Sequence, residues 1–298
     1  MLYNNFSTYL KSKYGGKVTK ICIDGGFGCP NRDGTCGIGG CIYCGERGSG
    51  EHIDPTLSIR AQVERALSND QKSDSFIAYF QNFTNTYAPI DILKERYDSA
   101  LISDRIVALA IGTRPDCIDE GVAELLASYL GRVDVWVELG LQTASDKTAQ
   151  IINRGYKIEA YCKAVEILKS HGIPFVTHMI IGLPGEDEMD VDATVDLINK
   201  DSWGVKIHSI YVMEGTALAE MYRRGEYTPP TFEEYTALAA RSIARLRSDI
   251  IVHRITGDCP DGMLVAPEWN RDKNRIINQI RKNLEKDGLC QGSLFKIC

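Results

Sequence analysis

Short apolar runs alternate with longer amphipathic segments along most of this chain. The short runs are rich in β-branched residues, as strands are, and they predict strands at Val18–Asp24, Phe76–Phe80, Ile106–Ile111, Val133–Leu139, Phe175–Ile181, Val205–Tyr211 and Ile250–Ile255. The segments between them carry apolar residues three and four positions apart, which is the period of an amphipathic helix. They predict helices at Ile59–Leu67, Ile90–Ser103, Ile118–Leu130, Asp146–Asn153, Ile158–His171, Asp187–Asn199, Thr216–Arg223 and Phe232–Arg247.

The repeated order of strand and then helix predicts a parallel sheet in an α/β protein. Six or seven such units with right-handed crossovers favour a full or partial (β/α) barrel, and a doubly wound sheet remains the alternative. We expect the barrel to span residues 1–260. The remaining residues, 261–298, predict a short C-terminal helical extension with a helix at Asn270–Lys286.

Polar and glycine-rich segments follow five of the predicted strands. They are a cysteine-rich loop after the first strand, Gln81–Asn85 after the second, Gly112–Asp116 after the third, Gly140–Thr143 after the fourth and Gly182–Glu186 after the fifth. Active sites of parallel α/β folds lie at the carboxyl ends of the strands. We therefore expect these five loops to meet at one rim.

The cysteine-rich loop reads C-P-N-R-D-G-T-C-G-I-G-G-C-I-Y-C from Cys29 to Cys44. Two residues separate Cys41 from Cys44, with glycines on both sides, which lets two sulfurs and nearby amides face one ion or cluster. With Cys29 or Cys36 as a third thiolate, the loop fits an iron–sulfur cluster that keeps one iron open. All four cysteines together would instead close a structural zinc site.

The other cysteines are scattered without metal-binding spacing. Free cysteine is among the most buried residue types, so we expect small buried side chains at Cys22, Cys117, Cys162, Cys259, Cys290 and Cys298.

Composition narrows the class of protein. The chain has 298 residues, 44% of them hydrophobic and 25% charged, so its cysteines are too dilute for a disulfide scaffold. No apolar stretch approaches the roughly 20 residues that span a bilayer, and the start has no apolar signal segment. We therefore expect a cytoplasmic protein. A net charge of −6 argues against coating nucleic acid by bulk electrostatics.

Seven segments of the chain together resemble the radical S-adenosylmethionine (SAM) superfamily, and within it the YhcC/YtqA-type group. They extend over most of residues 18–260 and are Gly25–Thr35, Gly39–Cys44, Tyr79–Tyr87, Gly112–Cys117, Glu138–Thr143, Asn153–Gly155 and Gly182–Glu186. The resemblance implies a (β/α) barrel of the radical SAM type.

The resemblance also implies three cluster ligands and two cofactors. In this group the first ligand is the cysteine of the C-P-N-R-D-G-T run, so Cys29, Cys41 and Cys44 are expected to bind a [4Fe–4S] cluster, with Cys36 as the alternative first ligand. The eleven residues between Cys29 and Cys41 depart from the C-x3-C-x2-C spacing of most of the superfamily. SAM is expected at the open iron, where an electron from the cluster cleaves it to a 5′-deoxyadenosyl radical.

Candidates for contacts with SAM follow from the same resemblance. They are Tyr43, Gln81, Asn82, Thr84, Arg114, Glu138, Gln142 and Arg154. Tyr43 is expected near adenine, with loop packing as the alternative. The three residues after the second strand stand at the amine-binding position but lack its usual acidic residue. Glu138, with Gln142 beside it, is expected at the ribose or else in a salt bridge to one of the two arginines, either of which is a candidate for the SAM carboxylate.

The histidines fall into two groups. His178 and His208 lie on the fifth and sixth predicted strands, where inward-facing side chains would surround the substrate. Core histidines with backbone partners are the alternative for both. His52 and His171 are expected at the surface.

The order of the strand-end motifs also resembles the radical SAM half of the Elongator catalytic subunit, which acts on carbon 5 of wobble uridine in tRNA. No segment resembles the acetyltransferase domain of that enzyme, so chemistry from acetyl-CoA is not expected. The resemblance implies a tRNA-modifying enzyme that alters the carbon-5 substituent, for instance carboxymethylaminomethyl to aminomethyl, with a flavodoxin or ferredoxin as electron donor. The alternatives are a radical SAM enzyme for a small metabolite or protein side chain, and a non-catalytic iron–sulfur or zinc scaffold.

Contact with RNA would need a basic surface. Two segments supply candidates, which are Lys11, Lys13, Lys17 and Lys20 near the start and Arg271, Lys273, Arg275, Arg281 and Lys282 in the last helix. The alternative is a solvated face balanced by Asp272, Glu285 and Asp287.

Overall fold

A computed structural model describes residues 2–48, 53–260 and 262–296 of the chain. The strands are β1 (Val18–Ile23), β2 (Ser75–Phe80), β3 (Ile106–Thr113), β4 (Asp134–Gln142), β5 (Phe175–Ile181), β6 (Gly204–Ser209), β7 (Val212–Met213), β8 (Ile251–Arg254) and β9 (Leu264–Ala266). Seven of them form one parallel sheet in the order β1-β2-β3-β4-β5-β6-β8, while β7 and β9 form an antiparallel pair. The predicted α/β barrel is confirmed in its partial form, because β1 and β8 are the two edges of the sheet.

Helices connect the strands as the apolar period predicts. They are α1 (Phe6–Tyr14), α2 (Ile59–Asn69), α3 (Ile90–Ala100), α4 (Glu120–Ala127), α5 (Asp146–Ile151), α6 (Ile158–Ser170), α7 (Glu188–Asp201), α8 (Ala217–Arg223), α9 (Phe232–Arg245) and α10 (Lys273–Lys286). Short polar side chains fix the starts of several of them. Asp187 and Thr231, for example, open α7 and α9 with reciprocal capping boxes.

The two faces of the sheet carry different cores. The outer face packs against the surrounding helices, as Phe80 does against Tyr97 of α3. The inner face carries an aromatic cluster that includes Tyr79 and Trp136. A parallel sheet covered on both faces is the usual arrangement of such folds.

Helix α1, which the sequence analysis does not predict, covers part of that inner face. Phe6 stacks on His253 of β8 with ring centroids 3.8 Å apart and meets Trp136 of β4 edge-on. Lys20 of β1 lies over the same phenyl ring at 4.8 Å. The first helix therefore sits in the gap between the two edge strands, which we call the seam.

Backbone contacts at the seam join the two ends of the chain. The Val252 amide of β8 donates to Asn4 O at 2.8 Å. The Asn4 amide donates to Gln291 Oε1 at 2.8 Å, and the Gln291 amide donates to Leu2 O at 2.9 Å. Gln291 Nε2 also donates to Ile250 O at 2.8 Å. The edge strand β8 is thus held by residues from both termini.

The residues after 260 pack against the barrel. Strand β9 pairs with β7, and α10 lies along α9. Trp269, just before α10, stacks on Tyr235 of α9 with ring centroids 5.3 Å apart and meets Phe232 edge-on. Within the described residues, no helix has the length and apolar character needed to span a bilayer.

Two expectations about single residues are corrected. Cys162 and Cys290 are exposed, and Cys22, Cys117 and Cys259 are partly exposed, so none of these scattered cysteines is fully buried. Cys162 faces away from the sheet on α6, and Cys290 follows α10. His171 is partly buried at the end of α6, where its Nδ1 lies 3.0 Å from Ile167 O. His52 and Cys298 lie outside the described residues.

Candidate functional site

The cysteine loop leaves the carboxyl end of β1 and meets the loops that follow β2, β3 and β4. The Thr84 amide donates to Gly28 O at 3.1 Å, which joins the second loop to the first. Arg114 Nη1 donates to Arg154 O at 2.9 Å, which joins the third loop to the segment after α5. The polar strand ends therefore come together at one rim around the cysteines.

Two asparagines hold the cysteine loop in shape, and we call them the asparagine clamp. Asn153 Nδ2 donates to Ile38 O at 3.1 Å and to Gly40 O at 2.8 Å. Asn31 Nδ2 donates to Asn153 O at 2.6 Å and points at Cys41 Sγ from 3.9 Å. Asn31 O in turn accepts from the Gly40 amide at 2.8 Å. The clamp fixes the backbone immediately before Cys41.

Close packing around Asn31 requires glycine at two positions. A Cβ atom at Gly37 would lie 2.2 Å from Asn31 Oδ1, and one at Gly155 would lie 2.5 Å from it. Both distances are far inside van der Waals contact, and Asn31 is fully buried, so the amide cannot move aside. Asn31 of the N-R-D-G-T motif thus packs directly against Gly155 of the N-R-G motif.

The electrostatic setting favours a thiolate at Cys41. The thiols of Cys41 and Cys44 hydrogen-bond to each other, which lowers the pKa of Cys41 to about 7 against the opposing effect of burial. The guanidinium of Arg114 acts in the same direction. Partial desolvation and the neighbouring Asp116 instead raise the pKa of Cys36. The same hydrogen bond, together with burial, raises the pKa of Cys44, so the two thiols behave as one hydrogen-bonded pair.

The chemistry of these donors suits an iron–sulfur cluster. Cys29, Cys41 and Cys44 are each partly exposed on one glycine-rich loop, with Gly39 and Gly40 both in the left-handed region (φ 82° and 78°). Among the described residues, no three histidine, cysteine, aspartate or glutamate side chains are close enough to hold a single metal ion. Thiolates on such a loop are the usual ligands of a cubane cluster.

Arg154 is held by buried protein groups, and its contact with the SAM carboxylate stays a prediction. Its side chain is 1% exposed, and all three of its nitrogens donate to the protein. Nη1 bonds to Leu141 O and Thr143 O at 2.7 Å each, Nε to Tyr156 O at 3.1 Å, and Nη2 to Asp146 at 3.4 Å. A buried guanidinium with these partners shapes the loop after β4.

Arg114 is oriented by the protein as well. Its Nε and Nη2 bind the two oxygens of Asp116 at 2.9 and 2.7 Å, and its plane lies 4.8 Å from the ring of Tyr156. Asp116 raises the pKa of this guanidinium above its ordinary value, although burial opposes the effect. The structure therefore places an Arg114–Asp116 ion pair beside the cysteine loop.

The loop after β2 offers two unused buried oxygens next to the cysteine loop. Asn82 Oδ1 and Thr84 Oγ1 have no hydrogen-bond partner among the described residues. Asn82 Nδ2 donates to Asp24 Oδ2 at 2.7 Å. Buried polar groups without a partner often mark a bound polar ligand. Asp24, which no motif in the sequence marks, places a carboxylate beside Asn82, and Arg47 lies 3.8 Å from that carboxylate.

The remaining candidates lie at the same rim with different surroundings. Tyr43 hydrogen-bonds to Cys41 and packs against a cluster that includes Ile180 and Leu183, as the loop-packing alternative predicts. Gln142 adopts φ 67°, with its amide over Gly140. The Gln81 amide donates to Ile23 O at 3.2 Å, and its side chain is partly buried.

Glu138 points into the barrel, and the ribose contact expected of it stays a prediction. Its side chain is fully buried and forms what we call the interior charge cluster with Lys20, Lys206 and His178. Glu138 Oε1 lies 3.7 Å from Lys20 Nζ, and Oε2 lies 2.9 Å from His178 Nε2 and is bonded to Lys206 Nζ. Tyr79 OH accepts from Lys206 at 3.1 Å.

The partners of Glu138 also differ from the two arginines that the sequence suggests. Burial opposes ionisation of Glu138, but Lys206, Lys20 and His178 together outweigh it and hold the pKa of this carboxyl well below its usual range. Burial lowers the pKa of Lys206 to about 7 against the attraction of Glu138. Because three donors converge on one carboxylate, we treat Glu138 as ionised.

His178 and His208 line the inner wall above this cluster. Their ring centroids are 5.4 Å apart. Burial and the charge of Lys206 lower the pKa of His178 to about 4, and burial lowers the pKa of His208 well below its usual value. His208 Nε2 is buried and has no partner in the described part of the chain. Both rings are therefore neutral at pH 7, and the partner of His178 is a carboxylate and not the backbone.

Several basic candidates for RNA contact are already paired. Lys13 binds Asp134 at 2.7 Å and Lys273 binds Asp258 at 2.5 Å. Arg275 lies over the ring of Phe232 at 4.3 Å. These partners are not the acidic residues near the last helix that the sequence suggests.

Comparison with known proteins relates these features to a family. The profile of the Radical SAM superfamily matches residues 26–198, and that of the Radical_SAM C-terminal domain matches residues 202–286. The chain is 37% identical to protein YtqA of Bacillus subtilis over 99% of this chain and 93% of that protein. It is 34% identical to protein YhcC of Escherichia coli over 98% of this chain and 95% of that protein.

More distant similarities are to a tRNA uridine(34) acetyltransferase and to an archaeal Elp3. The tRNA uridine(34) acetyltransferase of Methanocaldococcus infernus is 28% identical over 82% of this chain and 49% of its own length. The solved structure of an N-terminally truncated archaeal Elp3 of M. infernus superposes with a TM-score of 0.69 at 24% identity, over 92% of this chain and 64% of that chain. This chain spans less than two thirds of both proteins, and the structural likeness concerns the fold.

Proposed function

Because this chain belongs to the radical SAM superfamily, we propose that it uses a 5′-deoxyadenosyl radical to modify the carbon-5 substituent of wobble uridine in tRNA. Similarity to the tRNA uridine(34) acetyltransferase over 82% of the chain carries this choice of substrate. Conversion of carboxymethylaminomethyl to aminomethyl is the first reaction to test. The net charge of −6 favours a small metabolite or a protein side chain as the second candidate.

A [4Fe–4S] cluster and SAM are the cofactors of this superfamily, as the sequence predicts. The bound cluster supplies the electron that cleaves SAM. We assign Cys29, Cys41 and Cys44 as its ligands. Asn31 and Asn153 support this assignment, because they fix the backbone before Cys41, and Asn31 aims an amide hydrogen at its sulfur. Hydrogen bonds to ligand sulfurs tune both the affinity and the potential of such clusters.

The unused oxygens of the second loop support a seat for the ammonium group of SAM. Asn82 Oδ1 and Thr84 Oγ1 are buried acceptors beside the cysteine loop, and Asp24 adds a negative charge behind Asn82. Arg114, which is paired with Asp116, is the candidate for the carboxylate of SAM. Tyr43, Gln81 and Gln142 stay candidates for the adenosine part.

The inner wall of the barrel supplies the surroundings of the substrate. His178 and His208 are neutral there and present ring nitrogens without adding charge. Neutral donors and acceptors of this kind suit a nucleobase, whose edges carry hydrogen-bonding groups but no charge.

SAM cleavage tests the enzyme class. The protein is purified anaerobically, its iron and sulfide are measured, and 5′-deoxyadenosine formed from SAM and a chemical reductant is quantified. The reductant replaces a flavodoxin or ferredoxin, which we propose as the donor in the cytoplasm, where unpaired cysteines such as those described here stay reduced. Cys41→Ala is expected to abolish both cluster and cleavage, while the matched Cys36→Ala variant keeps them. A fully loaded cluster without cleavage favours the scaffold alternative.

Nucleoside mass spectrometry tests the substrate. Bulk tRNA from cells lacking the gene is compared with tRNA from cells complemented by the wild-type chain, by Cys41→Ala or by Cys36→Ala. We expect a wobble-uridine derivative to change in the deletion strain and to be restored by the wild type and Cys36→Ala alone. An unchanged set of wobble nucleosides, with SAM cleavage intact, would direct the search to small metabolites and proteins.

A further inference from the structure

An open cleft of about 780 Å³ lies at the seam, between the edge strand β1 and the segment that runs from β8. Its lining combines α1, β1, β8 and α10 and brings together five cations from distant parts of the sequence. These are Lys11, Lys17, Lys20, Arg254 and Arg281. No aspartate or glutamate lines it in the described ranges of the chain. We call it the seam cleft.

The positive charge of the seam cleft is only partly compensated. Lys17 lies 3.6 Å from Asp70, Lys20 lies 3.7 Å from Glu138, and Arg254 binds Asp258 at 2.8 Å. Lys11 and Arg281 are exposed and form no ion pair among residues 2–48, 53–260 and 262–296. In a chain of net charge −6, a polyanion is repelled overall, so a local group of free cations is where it would bind.

The shape of the cleft suits a strand and not a compact ion. Its lining runs from Lys17, before β1, to Thr256, beyond the carboxyl end of β8, so it extends along the height of the sheet towards the rim. The five residues 252–256 alone cover about 13 Å, at about 3.3 Å for each of the four steps between them. Tyr3 adds partly exposed aromatic surface to the lining, whereas Phe6 is buried against His253 and Lys20. A row of cations along an elongated groove with an aromatic ring is typical of sites for single-stranded nucleic acid.

We propose that the seam cleft binds backbone phosphates of the RNA substrate, with Lys11 and Arg281 as its principal phosphate contacts. This inference rests on the proposed function and adds the place where the RNA is held. It also explains why the two predicted basic segments, which lie at opposite ends of the sequence, contribute to one surface. The phosphates of a free nucleotide share this chemistry, so the test must separate the two sources.

The test is the salt dependence of RNA binding by the cluster-loaded protein. A fluorescent anticodon stem-loop is titrated by anisotropy between 50 and 200 mM KCl with wild type, with Lys11→Gln/Arg281→Gln, and with Lys163→Gln/Lys200→Gln. The last variant is the matched control, because it removes the same charge from exposed residues of α6 and α7. SAM cleavage without RNA is measured for all three and is expected to be unchanged.

Counterion release sets the expected size of the effect. Each phosphate contact contributes about 0.7 to the slope of log affinity against log salt for single strands. The loss of two contacts should therefore flatten the slope by about 1.4 and weaken binding roughly 25-fold at 0.1 M salt. The control variant should stay within about twofold of the wild type.

The possible outcomes distinguish a failure of the seam-cleft proposal from a failure of the proposed function. If the cleft variant and the control variant bind the stem-loop equally well, and all three proteins keep a steep salt dependence, the RNA does not bind in the seam cleft. The proposal of a tRNA substrate is then unaffected. Pyrophosphate or ATP binding that needs Lys11 and Arg281, with RNA binding unaffected, overturns RNA as the occupant. If wild type does not bind the stem-loop and wobble nucleosides are also unchanged in the deletion strain, both proposals fail together.

Discussion

Replacement of Glu138 by glutamine should destabilise the fold more than any other single polar substitution proposed for this protein. Glutamine keeps the volume of the side chain and can still accept from His178 Nε2, which lies 2.9 Å from Glu138 Oε2. It removes the negative charge that compensates Lys206 and Lys20. Removal of one partner from a buried ion pair costs about 3–5 kcal/mol. We expect the free energy of unfolding of Glu138→Gln to fall by that amount.

A double-mutant cycle with Lys206→Met isolates the charge interaction. Lys206→Met alone leaves the Glu138 carboxylate buried with Lys20 at 3.7 Å and should also destabilise the protein. The double variant carries no unpaired charge at either position and should be more stable than Glu138→Gln, since apolar replacements of whole buried pairs are often neutral. The expected coupling energy is about 2 kcal/mol or more.

Urea unfolding followed by far-ultraviolet circular dichroism measures the cycle. Tryptophan fluorescence is less suitable, because Trp136 Nε1 lies 3.4 Å from Glu138 Oε1 and its emission would change locally. Glu124→Gln is the matched control, since Glu124 is exposed on α4, and it should change stability by less than about 0.5 kcal/mol. Additive single effects, or a Glu138→Gln variant within about 1 kcal/mol of the wild type, would refute a charge-paired interior.

Three further predictions concern single residues. Cys36→Ala should keep its full iron and sulfide content and Cys29→Ala should lose most of it; equal loss would make Cys36 a ligand. Asn153→Gly should release iron to a chelator faster than wild type, because two hydrogen bonds of about 1 kcal/mol each are lost. Asn153→Ala should release it faster still, because alanine at φ 51° adds strain of about 1 kcal/mol. The reverse order of the two variants would show that the backbone does not need this angle. Because the pKa of His178 is lowered to about 4 in the fold, the unfolded chain binds a proton at a higher pH than the folded chain does. The free energy of unfolding should therefore fall by roughly 3 kcal/mol between pH 6.5 and 4. His178→Asn should remove this loss, and a variant whose pH profile in urea titrations equals that of the wild type would contradict the prediction.

The alternation of strands and helices could be predicted from the sequence, because each strand is a short apolar run that is covered on both faces. The strand Phe175–Ile181 is predicted residue for residue. Helix α1 escaped prediction because its nine residues carry only a few apolar positions among lysines and serines. Its caps were visible all the same, since Asn5 precedes it and Gly15 follows in the left-handed conformation.

The site was harder to predict from the sequence, because its residues come together only when the strands pair. Lys20, Glu138 and Lys206 each interrupt an apolar strand, which signals an inward charge, but nothing local shows that the three converge. The arginines illustrate the same limit. Arg114 and Arg154 look alike in sequence, and each has all three nitrogens bonded to protein groups. Arg154 bonds mainly to backbone oxygens, while Arg114 pairs with Asp116 beside the cysteine loop. The thiol ligands lie close together in sequence and needed no tertiary information.

The hydrogen bonds at the seam relate the order of synthesis to the order of folding. Asn4 and Gln291 are 287 positions apart in the sequence and directly bonded in the fold. A ribosome therefore makes α1 and β1 long before β8 and Gln291, and until β8 is made the aromatic face around Trp136 lacks its contact with His253. Such exposed apolar surface is what chaperones recognise during translation. The seam is therefore secured only after residue 291 has left the ribosome, and a nascent chain arrested before residue 291 would hold its first helix without these contacts.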